Sequence, residues 1–251
     1  MHLDLAQNMM GRPELEPDTA IFIRRNWGAF CLGQIAADFQ ILCDVPRRTT
    51  HFYETPPEPS DYEAFQRMLA QNRQMTDWGR LAADDRGNAE AVFVAGYGSH
   101  LFYDLVWFHK IVSVFVLGDW GDRMQRFVAH NTLLTFEDQH SLPKIASGTG
   151  EQILDVDAAG WLPFDTDHQL KAWQTLVGRQ LLPDAEIETF KIFSRRMGLT
   201  PEQLMARLND PDWMAENIFN YVPDSLITDV KERSLIGSIE LVQDYLAPLL
   251  G

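Results

Sequence analysis

Cysteine is scarce in this chain, and its scarcity excludes two kinds of small protein. Cys31 and Cys43 are the only cysteines among 251 residues, and they do not form a CxxC pair. The pattern therefore predicts neither a zinc knuckle nor a disulfide framework. Because a chain of this length can bury a sizeable core without cross-links, we expect two free, buried thiols.

Positive charge is also in short supply. The chain has 21 lysine and arginine residues against 36 aspartate and glutamate residues, which gives a net charge of −15 at pH 7. The negative electrostatic field of such a chain repels nucleic-acid phosphates and anionic lipid surfaces, so we expect no nucleic-acid partner. A small phosphate-containing substrate stays compatible with this charge, because a bound dication reverses it locally.

Long hydrophobic runs are missing as well. The most apolar stretch, residues 101–117, is interrupted by Asp104, His109 and Lys110, so it is too short and too polar to cross a bilayer. The first residues lack the basic region and apolar run of a signal peptide. We therefore expect a cytoplasmic protein without a transmembrane segment.

Alternating apolar and polar residues, the pattern of a strand, appear nowhere at length. Helical spacing dominates instead and predicts an all-α protein. The segment 89–116 is apolar nearly all round, which is typical of a helix in the middle of a bundle. Further helices are predicted over 3–11, 18–42, 61–74, 119–138, 166–181, 184–197, 201–208, 211–221 and 223–248. In residues 139–165 the apolar residues show no sustained helical spacing.

His100 and Asp104 form the first candidate functional pair. They lie four residues apart in the predicted helix 89–116, so their side chains share one face. An imidazole and a carboxylate in that apolar setting must find polar partners or cost several kcal/mol of desolvation. Two interpretations stay open at this point: a metal site, or a hydrogen bond between the two side chains.

Gly96 and Gly98 precede this pair in the segment GYGSH. A glycine inside a helix lowers the stability of the helix by about 1 kcal/mol relative to alanine, so two glycines here indicate a compensating structural role. We infer that another helix or a ligand approaches this face closely.

Asp38 and His51 extend the candidate set. Asp38 lies in GQIAADFQ, near the end of a predicted helix, and His51 lies in RRTTHF, just before a proline-rich loop. With His100 and Asp104 they offer nitrogen and oxygen donors that suit zinc and other divalent metals. Taken singly, Asp38 also fits a helix cap and His51 a loop residue.

The runs that carry these residues are WGAFCLGQIAADFQ, PRRTTHFYE and AVFVAGYGSHLFYDLVW. In series they resemble the zinc-dependent phospholipase C family, whose members carry G-x-I-A-x-D, then T-H-F, then G-x-x-x-H-L-x-x-D at similar separations. The resemblance covers roughly residues 1–140. It implies an all-α, multi-helix bundle similar to phospholipase C and the single-strand nucleases, with a metal cluster in a cleft between helices.

The resemblance implies a set of metal ligands. The ligands would be Asp38, His51, His100 and Asp104, together with His2 in the N-terminal frame HLDLA. The length of the chain makes one domain the default and leaves two possible. We expect one helical domain over residues 1–251, with the metal site in 1–140 and further helices in 141–251. A frayed, solvated terminus is the alternative for His2.

The chain also departs from the secreted lipases of that family, in which a further histidine and an H-x-x-x-E pair complete a three-metal cluster. Here His109 stands one place short of the expected position, and His130 is followed at +4 by Leu134 instead of an acid. Glu137 lies at +7 from His130, so His130, Glu137 and His109 are candidates for a modified second site only. We therefore expect one or two ions, zinc first, with another divalent metal as the alternative.

Three functions compete on this basis. The leading one is a metal-dependent phosphoester hydrolase acting on a small phosphoester or a lipid, with Asp38 orienting or deprotonating the attacking water. Arg47 and Arg48 next to His51 are candidates for binding the substrate phosphate, although solvated surface arginines fit equally. The second function is a non-catalytic scaffold or binding role with a structural metal. The third is a plain helical protein in which the histidines and aspartates satisfy one another.

Overall fold

The computed structural model describes residues 1–43, 45–58, 61–165 and 167–251, with side chains for all of these except Asp167 and His168. Every regular element within these ranges is a helix, which confirms the all-α prediction. The α-helices are α1 (His2–Met9), α2 (Pro17–Arg25), α3 (Trp27–Ala36), α4 (Arg47–His51), α5 (Ala64–Gln71), α6 (Trp78–Leu81), α7 (Asp85–Trp107), α8 (Ser113–Val116), α9 (Arg123–Ser141), α10 (Thr149–Leu154), α11 (Asp167–Gln180), α12 (Glu188–Arg196), α13 (Pro201–Leu208), α14 (Pro211–Met214) and α15 (Asp224–Leu250). Short 3₁₀ segments cover Ala37–Leu42, Arg73–Thr76 and Leu142–Lys144, and π-helical segments cover Phe108–Val112 and Ala215–Phe219.

The helix α7 lies at the centre of the bundle. It begins where the Asp84 side chain accepts a hydrogen bond from the backbone N–H of Gly87 at 2.7 Å. From Ala91 to Leu101 every residue is buried, as expected for a helix surrounded by other helices. The segment predicted as a helix over 89–116 is helical throughout. It is not a single α-helix, because a π-helical turn at Phe108–Val112 joins α7 to α8 and changes the helical phase there.

Two glycines let α3 and α7 cross almost backbone to backbone. A Cβ atom on Gly33 would lie 2.1 Å from the carbonyl oxygen of Phe93, and one on Gly96 would lie 2.4 Å from the carbonyl oxygen of Phe30. Gly98 faces another neighbour, because a Cβ there would meet the Phe65 ring of α5 at 2.7 Å. The close helix approach inferred from the segment GYGSH is therefore present on two sides of α7.

The predicted helix over 18–42 is in fact three segments: α2, α3 and the 3₁₀ segment Ala37–Leu42. The first break falls at Asn26, whose side-chain amide donates to the carbonyl of Phe22 at 3.1 Å. Gly28 lies inside α3 and permits contact with α10, since a Cβ there would be 2.3 Å from the carbonyl oxygen of Gln152. The glycines in this stretch therefore serve packing and do not interrupt the helix.

The C-terminal helices share the main core with the N-terminal half. The largest cluster of buried apolar side chains includes Leu3 and Phe93 as well as Trp173, Val242 and Leu246. Among the helices that the structure describes, none combines the length and the apolarity needed to cross a membrane.

The α3–α7 crossing predicts a strong effect of small substitutions. Gly33→Ala and Gly96→Ala should each lower the free energy of unfolding by about 2–3 kcal/mol, because each new methyl group collides with backbone that cannot rotate away. Chemical denaturation of the metal-free protein measures this loss.

Gly79→Ala in α6 is the matched control. A Cβ there has its nearest neighbour at 3.6 Å, the Oδ1 atom of Asp77, so this substitution should be neutral or slightly stabilising. Equal effects at all three positions would contradict the crossing geometry.

Candidate metal centre

The predicted ligands come from four separate segments and meet at one point. His2 lies on α1, Asp38 on the 3₁₀ segment Ala37–Leu42, His51 on α4, and His100 and Asp104 on α7. One potential ligand atom from each of His51, His100 and Asp104 lies within 4.8 Å of the others, and the same holds for His2, Asp38 and His100. Residues separated by about 100 positions in the chain thus form one His₃Asp₂ cluster.

His100 is held with its outer nitrogen facing the cluster. Its Nδ1 atom lies 2.8 Å from the carbonyl oxygen of Gln34, so Nδ1 carries the proton and donates to that carbonyl. Its Nε2 atom, left as an acceptor, is 3.4 Å from Nε2 of His51 and 3.7 Å from Oδ2 of Asp104. Burial lowers the pKa of the His100 imidazole to about 3, so the ring is neutral at neutral pH, which is the form that binds metals.

His51 is oriented in the same way by a different partner. The Thr50 hydroxyl lies 2.8 Å from its Nδ1 atom, and Tyr97 in turn donates its hydroxyl to the Thr50 carbonyl at 2.6 Å. The Nε2 atom of His51 consequently faces Oδ2 of Asp104 at 3.3 Å and Oδ1 of Asp38 at 3.6 Å. Outer hydrogen bonds that fix a ring in this manner are typical of metal-binding histidines.

His2 completes the cluster from α1. Its ring stacks on that of His100 with centroids 4.0 Å apart, and its Nε2 atom lies 3.4 Å from Oδ1 of Asp104. Its Nδ1 atom is buried without a hydrogen-bond partner among the described residues. The half-buried ring is therefore ordered by packing, and the frayed terminus is not what the structure describes.

The two carboxylates are ionised despite their surroundings. Burial by itself would raise the pKa of Asp104, but the Arg47 guanidinium paired with it and the neighbouring His2 and His51 side chains outweigh burial and hold that pKa well below its ordinary value. Burial likewise opposes ionisation of Asp38, and the hydrogen bond from His51 more than offsets it, so the pKa of Asp38 is also lowered. Both groups are thus available as anionic oxygen donors.

Arg47 lies at the edge of the cluster, on α4. Its guanidinium is paired with Oδ2 of Asp104 and donates to the hydroxyl oxygen of Tyr53 at 2.9 Å. A second guanidinium nitrogen is 4.0 Å from Oδ1 of Asp38. Arg48, by contrast, is exposed and is not among the described residues that line the adjoining cleft.

A cleft of about 450 Å³ opens directly above the cluster. His2, Asp38 and Asp104 line it together with Arg47 and Tyr53, the C-terminal part of α7, and residues of α9 and α12. The arrangement can hold a divalent cation at the cluster and admit a small anionic group beside Arg47.

The three residues predicted for a second site are separated from one another. His130 on α9 lines the cleft, its Nε2 atom is buried without a partner among the described residues, and burial lowers its pKa to about 4. Glu137, two turns further on, is ion-paired with Lys231 of α15. His109 lies in the π-helical turn and faces away from the cluster, with its Nε2 atom 2.9 Å from the carbonyl oxygen of Asp61. The structure thus brings neither Glu137 nor His109 to the cluster.

The residues that orient the histidines were missed at the level of sequence. Gln34 acts through its backbone carbonyl, which any residue type possesses, and no motif distinguishes Tyr97 from an ordinary core residue. Thr50 is the exception. A hydroxyl-bearing residue directly before His51 is visible in the sequence and is compatible with a hydrogen bond to the His51 ring.

Comparison with known proteins agrees with the geometry. The family model described as "Zinc dependent phospholipase C" matches residues 1–142, the part of the chain that contains every member of the His₃Asp₂ cluster. No match was found among curated proteins or among solved structures.

The buried neutral rings predict a pH-dependent stability of the metal-free protein. An unfolded histidine titrates near pH 6.5, whereas His100 and His130 titrate at about 3 and about 4 in the folded chain. Between these values the unfolded chain binds protons that the folded chain does not. The free energy of unfolding should therefore fall as the pH drops from about 6.5 to 4.5, by up to roughly 2–3 kcal/mol for each of the two rings.

His130→Phe should remove about half of that loss, because the replaced ring takes up no proton in either state. Leu133→Ala, a buried change on the same helix, should lower stability at every pH without changing the slope. Denaturation midpoints measured between pH 7 and 4.5 decide the matter, and a flat wild-type profile would refute the assignment of neutral buried rings.

Proposed function

This chain belongs to the zinc-dependent phospholipase C family, and from that premise we propose that it is a metal-dependent hydrolase of phosphoester substrates. One observation carries the proposal: the Nε2 atoms of His51 and His100 and the Oδ2 atom of Asp104 converge within 3.3–3.7 Å of one another. Burying two imidazoles against a carboxylate beside a cleft costs desolvation free energy, and a helical protein that binds no metal gains nothing in return.

The residues that would hold the metal are Asp38, His51, His100 and Asp104, with His2 as a fifth. Neutral imidazoles and ionised carboxylates suit zinc, and five donors exceed what one tetrahedral zinc takes. We therefore propose one or two ions, zinc first, with another divalent metal as the alternative. Both oxygens of Asp104 face histidines, so this residue would be one of the ligands. Zinc, when bound, acts as a Lewis acid toward phosphoryl oxygens and makes water a stronger acid.

Two further roles fall to Asp38, which is itself one of the proposed ligands, and to Arg47. Asp38 has a side chain about one-quarter exposed to the cleft and a lowered pKa, so it stays anionic and can accept a hydrogen bond from an attacking water. Arg47 presents a guanidinium at the cleft wall, where its fork geometry suits two oxygens of a substrate phosphate. The water and the phosphate would then meet between Asp38 and Arg47.

We also propose that residues 1–251 act as one domain. The buried cluster formed jointly by the N-terminal and C-terminal helices supports this, since two independent domains would each need a core of their own. The net charge of −15 supports a further expectation, that nucleic acids are not substrates.

The zinc-loaded protein should hydrolyse a phosphodiester, and a chelator should abolish the activity. Arg47→Gln should raise KM for the phosphodiester about 10- to 100-fold, because a charge-assisted contact to phosphate is lost. The matched control is Arg48→Gln, the neighbouring exposed arginine, which should leave KM unchanged. Steady-state kinetics with bis(p-nitrophenyl) phosphate provide the measurement.

Two results would count against this function. If the protein holds zinc but cleaves neither a phosphodiester nor a phosphomonoester, the structural-site alternative replaces the hydrolase. If Arg47→Gln and Arg48→Gln behave alike, the cleft above the cluster is not where the phosphate binds.

A further inference from the structure

A second arginine lines the cleft beside the cluster. Arg196 is the last residue of α12, and it lines the same cavity of about 450 Å³ as Arg47 and Asp104. It lies beyond residue 142, where the match to the family model ends, so membership of the family assigns it no role. A cavity of this volume suits a small molecule, and one that fills it can contact both arginines.

Arg196 differs from Arg47 in its partners. Arg47 is paired with Asp104, whereas no carboxylate of the described residues lies within 4.0 Å of the Arg196 guanidinium. The central carbon of that guanidinium lies 5.9 Å from the centre of the Phe193 ring, which also lines the cleft. Acidic residues outnumber basic ones by 36 to 21 in this chain, and yet none of those described pairs with this cation. Arg196 is therefore available to an anion that enters the cleft.

The helix α12 holds Arg196 at the cleft. Phe193 and Arg196 are three residues apart on this helix, so their side chains share one face. Next to them, Met197 packs with Leu204 and Leu208 of α13 in a small buried cluster, against which apolar side chains of α9 also pack. The guanidinium thus extends from a helix that is packed against two others.

A bound cation would change the charge balance of the cleft. The two aspartates of the cluster carry two negative charges, which one divalent ion would neutralise. Asp138, which also lines the cleft, is paired with the amino group of Met1 at 2.6 Å. The guanidinium groups of Arg47 and Arg196 would then lack a compensating carboxylate among the described residues of the cleft. Two such cations favour a ligand that has two anionic groups.

We propose that Arg196 binds a second anionic group of the substrate, a phosphate or a carboxylate that is separate from the phosphoester being cleaved. The inference rests on the proposed function, since that phosphoester would be held at the cluster and at Arg47. Phosphate and carboxylate share the chemistry that matters here, because both accept two parallel N–H bonds from a guanidinium. The activity would thus be directed to small phosphoesters that carry a second negative charge.

An arginine at the end of a helix can also stabilise the helix itself. Cations in the last turn interact favourably with the helix dipole, and Arg195 and Arg196 both lie in that turn. Arg195 is exposed as well, but its Nε atom donates to the Lys191 carbonyl at 3.0 Å and it is not among the described residues that line the cleft. Arg195→Gln is therefore the matched control, because it removes a charge from the same turn and leaves the cleft unchanged.

Binding of substituted alkylphosphonates tests the subsite without requiring turnover, because their P–C bond is not an ester. The probes carry a phosphonate at one end and an amino, hydroxyl, carboxylate or second phosphonate group at the other, on chains of two, four and six carbons. Calorimetry on the zinc-loaded full chain at low ionic strength should give a Kd about five- to tenfold lower for the carboxylate probe than for the hydroxyl probe at the best chain length. The bisphosphonate should bind at least as tightly as the carboxylate probe and the amino probe most weakly, and added salt should reduce these differences.

Arg196→Gln should reduce the preference for carboxylate over hydroxyl to less than about twofold, because the charge that causes it is gone. Arg196→Lys keeps the charge and should retain part of the preference, whereas Arg195→Gln should retain all of it. Arg47→Gln should weaken every probe by a similar factor, because it acts on the phosphonate that all of them share.

Failure of the subsite and failure of the hydrolase are distinguishable. Equal Kd values for the carboxylate, bisphosphonate and hydroxyl probes at every chain length in the wild-type protein overturn the subsite, even if phosphodiesters are cleaved. A preference that persists in Arg196→Gln, or that Arg195→Gln reduces equally, also overturns it, since the charge would then act from elsewhere. A preference that depends on Arg196, with no cleavage of any ester, keeps the subsite and removes the hydrolase.

Discussion

The close crossing of α3 and α7 is the contact on which the rest of the structure depends. Gly33 and Gly96 have no side chains at the contact, so the backbone of one helix lies against that of the other. This brings the Gln34 carbonyl to the His100 ring and fixes which nitrogen faces the cluster. The same crossing sets α3 at the distance from which the next 3₁₀ segment delivers Asp38. The geometry of the candidate site is thus a consequence of two missing methyl groups.

Burial at this crossing also sets the chemistry of the donors. His100 is neutral because its surroundings disfavour the imidazolium, whereas Asp104 stays ionised because the Arg47 guanidinium compensates its charge. A neutral imidazole beside an ionised carboxylate is the state that a divalent cation requires, so binding a metal would need little proton release. Burying five polar side chains costs free energy in a helical protein that binds no metal. When a cation binds to them, the free energy of binding offsets that cost.

The sequence predicted the cluster better than the elements that support it. His100 and Asp104 follow from helical spacing, and Asp38, His51 and His2 follow from motif order. The outer contacts could not be predicted, because Gln34 reaches His100 through a backbone atom 66 positions away. The position of His109 depends on a π-helical turn that no local pattern announces. The packing of α11 against α3, where the Trp173 indole N–H donates to the Ile35 carbonyl, could not be predicted either, because residue types alone do not determine it.

Zinc content is the measurement that tests the central claim most directly. Wild-type protein loaded with zinc and dialysed exhaustively at pH 7.5 should retain one or two ions per chain, measured by elemental analysis. His100→Ala should retain less than about a tenth of that, because it removes a ligand in the middle of the cluster. His109→Ala, in the π-helical turn after α7 and facing Asp61, should retain the wild-type amount. Wild-type protein that holds no zinc, or equal loss in both variants, would contradict the account.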